Sequence, residues 1–276
     1  MEGKFYTVST PIGNLQDISS RAVETFKTSD IIACEDKRVS EILLSFYNIS
    51  KPLMVYQKYN EQEASEKILN LLKEGKTVSL ISDAGVPCIS DPGKIIVKKL
   101  FEQGIKTTNI PGACAITTLL ASSPKDDEQF SFYGFLPRTK NEQERVFEKF
   151  KNIDLVFYES PKRLIETLKN IIEFRGSMQK IAIGRELTKK FEEIKCDTVQ
   201  NMLNYYETNP LKGEIAGILY KTTVDTEKDF SVEIKKLLKE GFSAKDVASI
   251  LSSLFKNKGA NKKEIYKKAV EMSSKK

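Results

Sequence analysis

The sequence, 276 residues long, contains no histidine and no tryptophan. The first absence excludes Ser-His-Asp and Cys-His catalysis and every histidine-ligated metal site. The four cysteines, at 34, 88, 114 and 196, form no CxxC pair, so neither a disulfide framework nor a thiolate metal centre is expected. No apolar run approaches the roughly 20 residues that span a bilayer, and the opening MEGKFYTVST lacks the apolar core of a secretion signal. No GxGxxG follows an expected strand and no GxxxxGK(S/T) is present, which leaves out the common dinucleotide and phosphate loops. With 40% hydrophobic and 30% charged residues, the chain reads as soluble, cytosolic and globular, with one large or two ordinary domains.

Charge is unevenly placed. The net charge is +6, yet residues 228–276 alone hold 13 lysines, no arginine and 6 acidic residues. The rest of the chain holds 31 basic and 32 acidic residues, so the whole excess lies in the last 49 positions. A concentrated basic tail fits a polyanionic partner, nucleic acid being the commonest; a lysine-biased composition with a solvated surface is the plainer reading.

The first half alternates β-rich runs with helix-period segments. Phe5–Ser9, Ile31–Cys34, Leu53–Tyr56, Thr77–Ser82 and Thr107–Ile110 read as strands. Glu61–Gly75 reads as a helix, with Ala64, Ile68, Leu71 and Leu72 on one face and Gly75 as its stop. This pattern predicts an α/β domain at 1–121 with a largely parallel sheet, closing with a helix over Ala113–Ala121. Ser122–Gln129 is polar, contains Pro124 and is the best linker. Phe130–Phe135, Leu155–Tyr158, Lys180–Gly184, Phe191–Lys195 and Glu214–Tyr220 then predict a second α/β domain at 130–224 with a mixed sheet, and Pro161–Phe174 a helix within it. In the tail at 228–276 three helices are legible. Val232, Leu237 and Leu238 give the first its apolar side, Ser243 caps the second, and Asn261 with Glu264 opens the third. Such a unit resembles a helix-turn-helix module and equally a helical dimerisation piece.

Three turn-rich loops follow expected strands: Thr10–Leu15, Ser82–Gly93 and Pro111–Ala115. Carboxyl ends of strands are where α/β sheets bind ligands, and Gly and Pro let main-chain groups approach a small molecule. Each loop alone is also an ordinary connection. Asp83 and Asp91 read either as magnesium ligands or, the better fit to so turn-rich a loop, as side chains capping local backbone.

Seven segments in order carry a more specific signal. They are TPIGNL at 10–15, CEDKR at 34–38, SDAGVPCISDPG at 82–93, PGACA at 111–115, FYESPKR at 157–163, RELTKKFEE at 185–193 and KGE at 212–214. Together they resemble the 16S ribosomal RNA (cytidine 1402, 2′-O)-methyltransferase family of the tetrapyrrole (corrin/porphyrin) methylase superfamily. The resemblance spans about Lys4 to Tyr220. It implies two α/β domains with S-adenosyl-L-methionine (SAM) in the cleft between them, a homodimer, and the RNA of the small (30S) ribosomal subunit as partner, without a metal or a membrane. It places the cofactor against Pro11, Ile12, Gly13, Asp83, Gly85, Val86, Ile89, Gly112, Cys114 and Ala115, with Tyr158, Glu159 and Gly213 facing the same cleft. Val86 and Cys88 stand where Thr and Leu are more typical.

A ribose 2′-hydroxyl is a weak nucleophile, so a base or a cation beside it is expected. Without histidine the candidates are Glu35 and Asp36, orienting or deprotonating the hydroxyl, with Arg185 and Lys189 holding the RNA backbone. Lys37, Arg38, Lys162 and Arg163 form the candidate RNA-binding surface. The same charges also read as ion pairs at a domain interface. Methylation of a tetrapyrrole-like small molecule or of a protein, or a non-catalytic RNA-binding assembly role, are the alternatives.

Overall fold

A computed structural model gives the structure of residues 3–125, 128–209, 212–222, 230–255 and 262–273. The chain divides into two compact units, Met1–Tyr220 and Lys221–Lys276.

The first unit opens with β1 (Lys4–Val8), α1 (Ser20–Thr28), β2 (Ile31–Cys34), α2 (Lys37–Phe46), β3 (Leu53–Val55), α3 (Glu61–Lys73), β4 (Thr77–Leu80), α4 (Lys94–Glu102) and β5 (Thr107–Ile110). Its five strands pair in the order β3-β2-β4-β1-β5, all parallel. Parallel pairing needs a crossover between neighbours, and the helices supply it, covering both faces. Phe5, Val78 and Leu80 pack with Ala64, Ile68 and Leu72 of α3 and Ile96 and Leu100 of α4. Val8, Ile32 and Ile110 pack on the other side with Phe26 of α1 and Leu43 and Leu44 of α2. Local capping sets the helix starts: the Ser19 hydroxyl accepts from Ala22 N–H, and the Asp36 carboxylate accepts from Arg38 N–H.

The chain continues through α5 (Ala115–Ala121), β6 (Phe130–Phe135), α6 (Lys140–Lys149), β7 (Asp154–Glu159), α7 (Pro161–Arg175), β8 (Lys180–Arg185), β9 (Glu193–Thr198), α8 (Val199–Thr208) and β10 (Ile215–Leu219). The second sheet runs β6-β7-β10-β8-β9; only β6 and β7 pair in parallel, so the sheet is mixed, as its sequence pattern predicts. Alternation sorts its two faces. Leu155, Phe157, Ile181 and Ile183 point to α6, α7 and α8, whereas Val156, Ala182, Ala216 and Ile218 share a core with Ile116, Leu119 and Leu120 of α5. Thus α5 leaves the first sheet and covers the second. It lies so close that a Cβ on Gly184 of β8 would stand 2.8 Å from Leu119 Cδ1.

Strand β9 begins at Glu193, two residues beyond the start its composition predicts. The intervening segment is a tight turn in which Glu186 and Thr188 adopt left-handed backbone (φ 51° and 64°) and the Glu192 carboxylate accepts from Thr188 N–H.

In the second unit α9 (Ser231–Lys239), α10 (Ala244–Leu254) and α11 (Lys262–Ser273) enclose a small core of Phe230, Ile234, Val247, Leu251, Ile265 and Ala269. Ser243 and Asp246 cap α10 reciprocally. The predicted cap at Asn261 and the side chain of Val232 lie outside the described residues. Among the described residues no helix is long and apolar enough to cross a membrane.

Candidate active site

β1 pairs with both β4 and β5, so the loops after these three strands lie side by side at the carboxyl edge of the first sheet. Thr10 N–H donates to the Gly85 carbonyl at 2.9 Å, Gly85 N–H returns a bond to the Thr10 carbonyl at 3.2 Å, and Ser9 N–H reaches the Ile110 carbonyl at 3.0 Å. Facing them are the ends of β6, β7 and β8 and the start of β10. Between the two sets lies a cavity of about 370 Å³, in the range of roughly 300–1,000 Å³ that small-molecule sites occupy.

Ten of the residues placed at the cofactor by resemblance line this cavity: Ile12, Asp83, Gly85, Val86, Ile89, Cys114, Ala115, Tyr158, Glu159 and Gly213. Pro11, Gly13 and Gly112 are not among its lining residues. A Cβ on Gly13 would meet Lys189 Cγ at 2.4 Å, so this loop packs directly on the β8–β9 turn, an approach reinforced by Asn14 N–H donating to Thr188 Oγ1 at 3.1 Å. The sequence reading did not single out Phe135, Leu187, Glu214 or Ile215 as cavity residues, and assigned Asp91 only to a metal or a turn; all five line it. For four of them the signal was positional, since Asp91, Leu187 and Glu214 lie inside quoted motifs and Ile215 next to one; Phe135, at the end of a predicted strand, lies beside none.

The electrostatics are acidic. Burial raises the Asp91 carboxyl above the ordinary range, and the Asp83 and Glu214 charges add to it. Asp83 is raised by burial too, although it accepts a 3.0 Å bond from Asp36 N–H. Glu35, just outside the lining, is raised by burial and by Asp83, Asp91 and Asp36. Asp36 itself is lowered, because its carboxylate is held by the Arg38 side chain (Nη2–Oδ2 2.6 Å) and by Arg38 N–H. Asp83 and Asp91 belong to the cavity wall, and among the described residues no three His, Cys, Asp or Glu side chains are grouped to hold a metal ion.

The expected cations divide by surroundings. Lys37, Arg38 and Lys162 are exposed. Arg163 is half-buried and donates to the Leu136 and Pro137 carbonyls and to Glu159 at 2.7, 3.0 and 2.8 Å. The buried Glu159 carboxylate also accepts from Ser160 N–H and Thr167 Oγ1, so the residue meets the cavity while its charge is spent on the start of α7. Arg185 faces Glu193 at 3.8 Å. Lys189 bridges Glu186 at 2.8 Å and Glu214 at 3.0 Å; burial opposes its charge, but these two partners hold its ammonium above the ordinary range.

These residues fit SAM by their chemistry. Ile12, Val86, Leu187 and Ile215 offer apolar wall to an adenosine, and the half-buried Asp83 and Asp91 carboxylates favour a positively charged guest.

Two α/β halves joined around such a cleft define a methylase-type architecture. Diphthine synthase superposes with a TM-score of 0.64 at 16% identity over 79% of this chain and 90% of that one, and a cobalt precorrin-4 methyltransferase with 0.59 at 17% over 78% and 94%. At such identities the likeness concerns the fold alone. The sequence matches the Tetrapyrrole (Corrin/Porphyrin) Methylases over residues 4–203, and the chain belongs to that family. Within it, the chain is similar to proteins named ribosomal RNA small subunit methyltransferase I. The one from Haemophilus influenzae is 39% identical over 274 residues, 96% of each chain, and the one from Bacillus subtilis 39% over 269 residues, 97% of this chain and 89% of that one. The Thermotoga maritima protein is 42% identical over 219 residues, which are 79% of this chain and 98% of its own.

Proposed function

We propose that this chain transfers the methyl group of SAM to the ribose 2′-oxygen of a cytidine, cytidine 1402, in the decoding region of 16S ribosomal RNA, acting on the small subunit as a cytoplasmic homodimer. The observation that carries this reading is the cavity itself: an apolar, acid-rimmed cleft between two α/β halves, in a chain whose relatives are named for methylating small-subunit ribosomal RNA.

Bound SAM supplies an electrophilic methyl group on a sulfonium. The protein's part is alignment and charge. Ile12, Val86, Leu187 and Ile215 exclude water, and Asp83, Asp91 and Glu214 favour the cationic donor over its neutral product. Glu35, whose raised pKa leaves it a better proton acceptor than an ordinary carboxylate, takes the proton of the 2′-hydroxyl. Asp36 fixes the start of α2 and, through its N–H, the Asp83 carboxylate. Lys189 and Arg185 hold the RNA backbone at the β8–β9 turn, and the exposed Lys37, Arg38 and Lys162 extend that basic edge, whereas Arg163, held by Glu159 and the Leu136 and Pro137 carbonyls, orders the start of α7.

The test is labelled-methyl transfer from SAM to small subunits lacking the modification, with the product nucleotide mapped. Label on the 2′-oxygen of the decoding-region cytidine is the expected result. SAM binding without transfer to RNA overturns it and points to a small-molecule or protein acceptor.

A further inference from the structure

The mechanism above leaves one prominent cavity residue without a task. Phe135 ends β6 and lines the cavity, yet it is 60% exposed. Its ring is fixed from behind by aromatic contacts: it lies 5.5 Å from Tyr158, tilted by 58°, and Tyr158 meets Phe132 edge-on at 5.2 Å. Ile89, from the loop after β4, lines the same cavity and is 47% exposed. Strand β6 and this loop meet, since a Cβ on Gly134 would stand 3.8 Å from Ser90 Oγ. An aromatic and a branched aliphatic side chain, contributed by the two halves of the unit, therefore belong to the open part of the cavity lining, together with the exposed Glu214.

A flat, weakly polar ring is the natural occupant of such a place. Single-stranded RNA offers one, because an unstacked base is held by stacking on aromatic side chains. Charge agrees: exposed Arg138 follows Phe135 by three residues, and exposed Lys162 follows Pro161, itself a cavity residue, so the chain next to the cavity lining carries cations that suit a nucleotide's phosphates.

We propose that Phe135, with Ile89 opposite, is the stacking slot for the base of the acceptor nucleotide, swung out of the RNA so that its ribose faces the cavity. The proposal rests on the RNA-methylation reading above and adds the residue that positions the substrate.

The test uses the full-length chain and a short decoding-region RNA carrying pyrrolocytidine, whose emission falls on stacking, at the acceptor position. Wild-type protein is expected to quench it, and Phe135→Tyr to quench it equally. Phe135→Leu keeps bulk but lacks a π face; it is expected to abolish the quenching and to raise KM for unmodified small subunits by about ten- to a hundredfold, with the dissociation constant for SAM within about twofold of wild type. Unchanged quenching and KM in Phe135→Leu overturns the slot. So does a parallel loss of SAM affinity, which would assign the ring to the methyl-donor pocket. Wild-type transfer to small subunits, measured in the same series, separates the two readings: transfer with an indifferent Phe135→Leu removes the slot alone, and no transfer by wild type removes both.

Discussion

Asp91 is held where its charge is opposed by burial and by the Asp83 and Glu214 carboxylates. A carboxyl raised in the folded state binds protons there that the unfolded chain has already released. Its contribution to stability is therefore lost as pH rises through the ordinary carboxylate range and beyond. Asp91→Asn is expected to raise the melting midpoint of the ligand-free protein at pH 7, by about 2–4 °C for each kcal/mol relieved, and to lose that advantage towards pH 4. The same variant should bind SAM more weakly; melts from pH 4 to 8 with and without SAM check both halves. Glu35 and Asp36 are adjacent and chemically alike, but burial and neighbouring carboxylates raise Glu35 while Arg38 lowers Asp36. Glu35→Gln should lower turnover about a hundredfold or more at constant SAM affinity, and Asp36→Asn less than tenfold, read by single-turnover methyl transfer. Sequence motifs placed both residues at the ligand end of β2. They did not separate them, because the distinction depends on Asp83, Asp91 and the Arg38 guanidinium.

Among elements, α7 depends most visibly on a buried charge. Glu159 accepts from Ser160 N–H at 2.7 Å, Arg163 at 2.8 Å and Thr167 at 2.9 Å, which ties β7, the helix start and the Leu136–Pro137 loop together. Glu159→Ala should cost about 3–5 kcal/mol, as for other buried pairs that lose one partner, measured by urea unfolding, and should loosen Phe135 through the adjoining loop. Most strands and the helices at 61 and 161 were legible from periodicity and from Pro161. The start of β9 was not. Phe191 is β-prone and opens the predicted strand, but the left-handed Glu186 and Thr188 make a turn that only the antiparallel pairing of β8 with β9 requires. The packing of α5 was equally hidden: Ile116, Leu119 and Leu120 announce an apolar face without naming the sheet it covers.

For the whole molecule, the two compact units and the Thermotoga maritima relative, whose match spans 219 residues and 98% of its own length, lead to one expectation. A chain ending at Tyr220 should fold and bind SAM as the full protein does, since each unit encloses its own core. It should lose much of its affinity for RNA and show a flatter dependence on salt, because the basic excess lies in residues 228–276. Filter binding between about 50 and 200 mM salt checks this; an unchanged slope would assign the phosphate contacts to the first unit.

What the sequence by itself determined is what neighbours along the chain decide. It set the alternation of strand and helix, the Gly- and Pro-bearing turns at the ends of β1, β4 and β5, the basic tail, and a chemistry that works without histidine. The tertiary structure alone decided which carboxylates meet in the cavity, that Lys189 is shared between Glu186 and Glu214, and that Phe135 and Ile89 line one cavity. Desolvation and charge coupling arise only when residues tens to a hundred positions apart are brought within a few ångströms, and no local pattern encodes that distance.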